Sequence, residues 1–284
     1  MFSLKKKKTI EYLQSPLFSN CDFLEHAFCT RRGGASQDDY KSLNMSFREG
    51  DEESRVLSNW DCLATAFGIP LEQFLVVNQV HGDAIFVIKP HGNYFSSSDE
   101  LNYDAIVTIR ADLAICIKTA DCVPVFIVDK VKKVIAVVHA GWKGSALGIS
   151  AKVIRLMQKQ YGCLPQDILA AIGPSIGLCC YEVDQVTADA FRGQNNSDVF
   201  LQPGPKKDKW MLDLPEANRR QLLETGVPES NIELSGYCTT CNQDMFFSHR
   251  GSGGITGRQV NFMMIKGDKP CRVLTINSEF SRIH

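Results

Sequence analysis

Residues 115–144 read ICIKTADCVPVFIVDKVKKVIAVVHAGWKG. Apolar runs at 113–118, 123–129 and 134–138 are rich in Ile and Val, which suit strands. The second run begins just after Cys122, and the third ends at His139. The segment that follows, KGSALGISAKVIRLMQKQ at 143–160, sets Leu147, Val153, Ile154 and Met157 on one side and predicts a helix. Upstream, FLVVNQVHG at 74–82 is another strand-like run and ends at His81. His81, Cys122 and His139 therefore each lie at a strand end, beside small or turn-compatible residues (Gly82, Ala120, Ala140-Gly141). Side chains presented in that way are positioned for a pocket.

Two imidazoles and a thiolate suit zinc or another borderline-soft metal. Three protein ligands leave a fourth tetrahedral position open, the arrangement of a catalytic metal rather than a closed structural one. The separations, 41 and 17 residues, are not those of a zinc finger. They fit a site assembled from different strand ends. Taken singly, each residue has a plainer reading: a strand-end histidine is often a satisfied polar group, and a buried cysteine is usually a small hydrophobe.

Working outward, apolar spacing predicts helices over 51–67, 184–192 and 215–225. Further strands are predicted at 84–88, 104–109, 167–173, 231–237 and 258–265. RRGGASQDDYKSLNMS reads as a polar loop, 89–102 as a candidate lid and 193–209 as a mobile loop. Strands and helices interleave, and some strands follow each other directly. The expectation is a single mixed α/β or α+β domain over 21–284, preceded by a basic, solvated segment at 1–20 that contains Lys5–Lys8.

The bulk numbers narrow the functional classes. The chain has 284 residues, 44% of them apolar and 22% charged, as in ordinary globular proteins. A net charge of −1 offers no electrostatic case for nucleic acid or an anionic membrane. No apolar run is long enough to span a bilayer. MFSLKKKKTIEYLQ has no apolar stretch after its basic cluster and is not read as a secretory signal. Eleven cysteines, an odd number, point to reduced thiols and a cytoplasmic setting.

Other segments carry candidate chemistry. HAGWKGSALG leads from a strand into a helix, and its N–H groups with Lys143 suit an anion, although an ordinary turn explains it as well. His249, Arg250 and Arg258 flank the glycine-rich turn GSGGITG, where arginine is either solvated or a bidentate partner for phosphate or carboxylate. Asn44 and Arg48 in SLNMSFREGD, and Glu182 beside Tyr181, are candidate substrate contacts. Cys179-Cys180 and the Cys238-x-x-Cys241 pair are read first as buried structural thiols, with a second zinc site or a redox pair as alternatives. Adjacent cysteines rarely share one metal.

NQVHG, YDAIVT, TADCVPVFIVD, VVHAGWKG, IGPSIGLCCYEV and YCTTCNQDMFFSHR with GITGR occur in one order, and RRGGAS, YKSLNMS and REGD precede them. On these motifs, over roughly residues 24–265, the chain resembles the bacterial laccase-domain, multicopper polyphenol oxidase-like family, better described as zinc-dependent purine nucleoside phosphorylases that also deaminate adenosine. The resemblance implies an α/β sandwich distantly related to cysteine hydrolases and deamidases. It implies His81, Cys122 and His139 as metal ligands and catalytic residues. It also implies zinc as cofactor, with purine nucleosides and phosphate as partners. Arg48 stands where the family often has histidine. Two further chemistries use parts of the same pattern. A copper oxidase would need H-x-H pairs, and the six histidines here form none. A cysteine hydrolase would use Cys122 as nucleophile with His81 or His139 as base. A non-enzymatic metal-storage or interaction module is a further option, and the oligomeric state is left open.

Overall fold

A strand that is apolar on both sides needs cover on both faces, and that requirement organises the molecule. The computed structural model describes residues 1–89 and 101–267. With elements numbered in chain order, β8 (Val123–Asp129) and β9 (Val134–Ala140) are buried at every position. They pair antiparallel from Val123↔Ala140 to Asp129↔Val134. The Asp129 carboxylate closes the turn by accepting the Val131 and Lys132 N–H groups at 2.9 and 2.7 Å.

This hairpin is central to a six-stranded sheet in the order β14 (Ile232–Leu234), β10 (Ile168–Ile172), β8, β9, β6 (Ala105–Thr108), β5 (Ile85–Ile88). A second six-stranded sheet runs β1 (Ser3–Lys7), β2 (Ile10–Gln14), β3 (Leu24–Cys29), β15 (Gln259–Ile265), β7 (Ala114–Thr119), β4 (Phe74–Val76). Between the sheets, Phe126, Val128, Ile135 and Val137 meet Phe28, Ile115, Ile117 and Met263. Phe28 stacks on Phe126 with ring centroids 3.9 Å apart. Gly173 is required beside that stack, because a β-carbon there would lie 2.3 Å from the Phe28 ring.

Helices close the outer faces. Val123, Val125, Ala136 and Val138 pack under α3 (Ile149–Tyr161) and α6 (Leu214–Glu224). On the other side, Val56, Trp60 and Leu63 of α1 (Glu53–Phe67) cover Tyr12, Cys116 and Phe262. The result is the expected mixed α/β sandwich, in four layers. Among the described residues no helix is long and apolar enough to cross a membrane.

Several expectations are corrected. Lys5–Lys8 is not a solvated tail. Ser3–Lys7 pairs along its whole length with Ile10–Gln14, whose Ile10, Tyr12 and Leu13 are buried. Lys7 meets Glu25 at 3.1 Å. A lysine-rich edge strand discourages pairing with another chain. The helix predicted over 143–160 is two, α2 (Trp142–Ala146) and α3, broken at Gly148, whose φ is +77°. The predicted loop 193–209 holds α5 (Ser197–Phe200) and β12 (Leu201–Pro203), which joins β13 (Lys209–Leu212) and β11 (Glu182–Asp184) in a small third sheet. The helix predicted over 184–192 is the shorter α4 (Gln185–Asp189). The candidate lid falls almost wholly on 90–100, outside the described residues.

His26 in β3 is buried, and its Nε2 accepts the Ser15 N–H at 3.1 Å. Burial pushes its pKa down from 6.5 to about 4. Between those values the unfolded chain takes up a proton that the folded chain refuses, so stability falls as pH drops through the window. His26→Gln keeps an acceptor but removes the titration. The stability of the parent relative to H26Q, from urea unfolding, should fall by up to roughly 3 kcal/mol between pH 7 and pH 4. A pH-independent difference would refute it.

Candidate metal centre

The β8–β9 register decides which side chains meet. Val123 opposes Ala140 and Pro124 opposes His139, so Cys122, one residue before β8, emerges beside the end of β9. β6 flanks β9 with Ala105 opposite Val138, and the His139 N–H bonds the Asp104 carbonyl at 2.7 Å. β5 runs parallel to β6, which brings the segment before it, Val80–Gly82, to the same end of the sheet.

Asp104 is the hub of this corner. Its buried carboxylate accepts the N–H groups of Val80, His81 and Gly82 at 3.3, 3.0 and 2.6 Å. The same carboxylate meets His139 Nδ1 at 2.7 Å. His81 is thereby held at φ +59°, a left-handed conformation that costs a side-chain-bearing residue energy. His139 has its Nδ1 occupied, leaving Nε2 for the cleft. Asp121, just before Cys122, also has a left-handed φ, +87°. Its carboxylate accepts from the Arg250 N–H and the Thr239 hydroxyl, each at 2.6 Å.

One ligand atom each from His81, Cys122 and His139 lies within 4.8 Å of the others. The donor set fits a borderline-soft metal, and a carboxylate on the far nitrogen of a ligating histidine is the usual supporting arrangement. Gly141 belongs to the cradle: a β-carbon there would lie 3.0 Å from His81 Cδ2 and 3.3 Å from Cys122 Sγ. The electrostatics suit a thiolate. Burial alone would raise the Cys122 pKa, but the charge and hydrogen bond of His139 and the hydrogen bond of His81 bring it down to about 6. His139 moves the other way. Against its burial, the Cys122 charge and the Asp104 hydrogen bond raise it to about 9.

The triad lies in a cleft of about 470 Å³, within the size range of small-molecule sites. The second sheet and the loop at 46–50 supply further lining. There Arg48, Lys118 and Arg258 gather around Glu49, which Arg258 meets at 2.8 Å. Gln79 fixes the Lys118 backbone, donating to its carbonyl and accepting its N–H, both at 2.7 Å. Burial and the neighbouring Arg48 lower the Lys118 pKa to about 8, with Glu49 opposing. Trp142, Ile176, Tyr181, His249 and Arg250 form further walls.

The cleft thus brings together His81, Cys122, His139, Arg48 and Arg258, with His249 and Arg250. Two expected substrate contacts lie elsewhere. Asn44 is fully buried, its amide bonding Ser46, Asp51 and the Arg258 N–H, so it positions Arg258 from behind. Glu182 does not line the cleft; its carboxylate faces Lys206 at 3.8 Å and its carbonyl accepts from Arg250. Nor does Lys143, beside Trp142, line it. Asp104 and Lys118 escaped the sequence reading, since an aspartate opening AIVT and a lysine inside ICIKT carry no spacing signal.

The family described as multi-copper polyphenol oxidoreductase laccase matches residues 25–266, and the chain belongs to that family. It is 37% identical over 243 residues to purine nucleoside phosphorylase YlmD of Geobacillus stearothermophilus, covering 82% of this chain and 87% of that one. The crystal structure of that YlmD superposes with a TM-score of 0.84 at 34% identity, covering 94% of this chain and 99% of the other. Adenosine deaminase RL5, from an unknown prokaryotic organism, is 34% identical over 239 residues, covering 82% of this chain and 90% of its own. The protein is an enzyme, as these relatives are.

Asp104→Asn sets an amide NH2 against N–H donors and should weaken metal binding, with zinc as the probe, by about 10- to 100-fold, the usual effect of losing a carboxylate that orients a ligating histidine. Competition of the metal-free protein against a chromophoric chelator measures this. Unchanged affinity would remove Asp104 from the support of the centre.

Proposed function

We propose that this protein is a zinc-dependent purine nucleoside enzyme, which cleaves adenosine, inosine, guanosine and methylthioadenosine with phosphate and hydrolytically deaminates adenosine. The observation that carries this is one cleft lined by two chemically different groups: a His-Cys-His triad, and Arg48, Lys118 and Arg258. The names of the relatives supply the substrate class. When bound by His81, Cys122 and His139, zinc would supply Lewis acidity at the reacting centre. Zinc is favoured over copper because six histidines with no H-x-H pair cannot build a multicopper cluster. The eleven cysteines suit a reducing, cytoplasmic setting.

The remaining roles fall to the chain. Arg48, Lys118 and Arg258 attract the phosphate by their positive charge. Asn44 holds Arg258 in place from behind. Trp142, Tyr181 and Ile176 offer apolar surface to base and ribose. Asp104 fixes the ring of His139 and the backbone of His81, so the catalytic groups need no reorganisation during the reaction.

A second reading draws on the Cys122–His139–Asp104 chain, which has the order of a nucleophile, base and orienting carboxylate. A cysteine hydrolase of that kind would stay active in chelator and form a substrate adduct at Cys122. The zinc reading expects neither.

The decisive assay varies phosphate. Base release from inosine should require it, and ammonia release from adenosine should not, because the two reactions use different nucleophiles. Equal dependence would overturn the two-reaction model. His81→Ala should lose both metal and at least ~100-fold of turnover, the scale of removing a Lewis acid worth several kcal/mol.

Phosphate binding carries a pH signature. Lys118 is charged below about pH 8 and neutral above it. The KM for phosphate should therefore rise as pH passes 8, and Lys118→Arg should move that rise upward. An identical profile in K118R would show that Lys118 does not contact the anion.

A further inference from the structure

Among the described residues a second cluster of metal-ligating groups stands apart from the cleft. Cys179, Cys180, Cys238 and Cys241 bring their sulfur atoms within 4.8 Å of one another. Cys241 Sγ lies 3.4 Å from Cys180 Sγ and 3.6 Å from Cys179 Sγ. We propose that these four cysteines form a closed tetrathiolate site for zinc, distinct from the His81–Cys122–His139 centre.

The sulfur spacings favour a metal over a disulfide. Four sulfurs at about 2.3 Å from a tetrahedral zinc stand about 3.8 Å from each other. A disulfide would need about 2.05 Å and would join only two of the four. Apolar packing does not account for the cluster either. A cysteine used as a hydrophobe is buried, whereas Cys179 and Cys241 are exposed and the remaining two half-buried. The expectation of buried structural thiols is thereby corrected.

Local backbone overcomes the objection to adjacent cysteines. The N–H groups of Cys180 and Tyr181 both bond the Gly177 carbonyl, at 3.0 and 3.1 Å. That tight turn points Cys179 and Cys180 at the same partner. Across from it, the Asn242 N–H bonds the Cys238 carbonyl at 3.1 Å and curls the C-x-x-C. The Gly177 N–H faces Cys238 Sγ at 3.4 Å, the kind of donor that stabilises a thiolate. The two segments are already joined by the Thr239 N–H on the Ser175 carbonyl, at 2.9 Å.

Four protein ligands leave no open position, so the role is structural. The site would clamp two segments that wall the cleft. One carries Ile176 and Tyr181, the other His249 and Arg250. Both also hold Asp121, beside Cys122: the Ile176 N–H bonds its carbonyl at 2.9 Å, and Thr239 and Arg250 bond its carboxylate.

The test counts zinc in the full-length protein carrying His139→Ala, which disables the first centre. After isolation in zinc-supplemented buffer and gel filtration, elemental analysis should find about one zinc per chain, and about none once Cys179→Ser and Cys241→Ser are added. No zinc in the H139A protein would overturn the proposal. Differential alkylation of the unaltered protein guards against misfolding of the variants. Cys179, Cys180, Cys238 and Cys241 should resist alkylation until a strong chelator is added. Immediate alkylation of Cys179 and Cys241 in zinc, or protection relieved by a thiol reductant instead of a chelator, would reject the zinc site, the latter in favour of a disulfide.

Discussion

The Asp104 carboxylate is the interaction on which the corner of the molecule depends. A buried carboxylate without partners would cost several kcal/mol and would take up a proton instead. Here it accepts three consecutive backbone N–H groups, from Val80 to Gly82, and grips the His139 ring. Those bonds keep it ionised in spite of burial. It bridges the entry to β5, the start of β6 and the end of β9. Through it, the backbone of one candidate ligand and the tautomer of another are set by a single group.

The triad is also a consequence of how the sheets are covered. Because β8 and β9 are buried on both faces, neither can present a polar side chain within its length without burying it in a core. Reactive groups are therefore confined to the strand ends. Cys122 lies one step before β8, and His139 one step before the end of β9. Asp121, left-handed and held by Thr239 and Arg250, turns the chain sharply enough to release Cys122 into the cleft.

The two sheets contribute unlike halves of that cleft. The sheet containing β9 brings thiolate and imidazole, and the sheet containing β7 and β15 brings Lys118 and Arg258. Arg48, Lys118 and Arg258 line the same cleft as Glu49.

By itself, the sequence determined the strongest periodic elements. The runs 123–129 and 134–138 and the helical stretches 51–67 and 215–225 were legible because continuous apolar runs and 3.6-residue spacing are local properties. The three residues of the triad were legible because each interrupts such a run at its end. What was not legible depends on partners far along the chain. The lysine-rich start reads as polar until pairing with β2 makes it a strand. Asn44 reads as a candidate substrate contact until Arg258 and Asp51 take up its hydrogen bonds. Asp104 and Lys118 are ordinary residues until β-sheet register brings His139 to one and Arg258 to the other. The four outlying cysteines read first as buried structural thiols until two turns faced their sulfurs together. Periodicity encodes which face of an element is buried, but only tertiary structure decides what lies across from it, because those contacts are set by register and layering between distant segments.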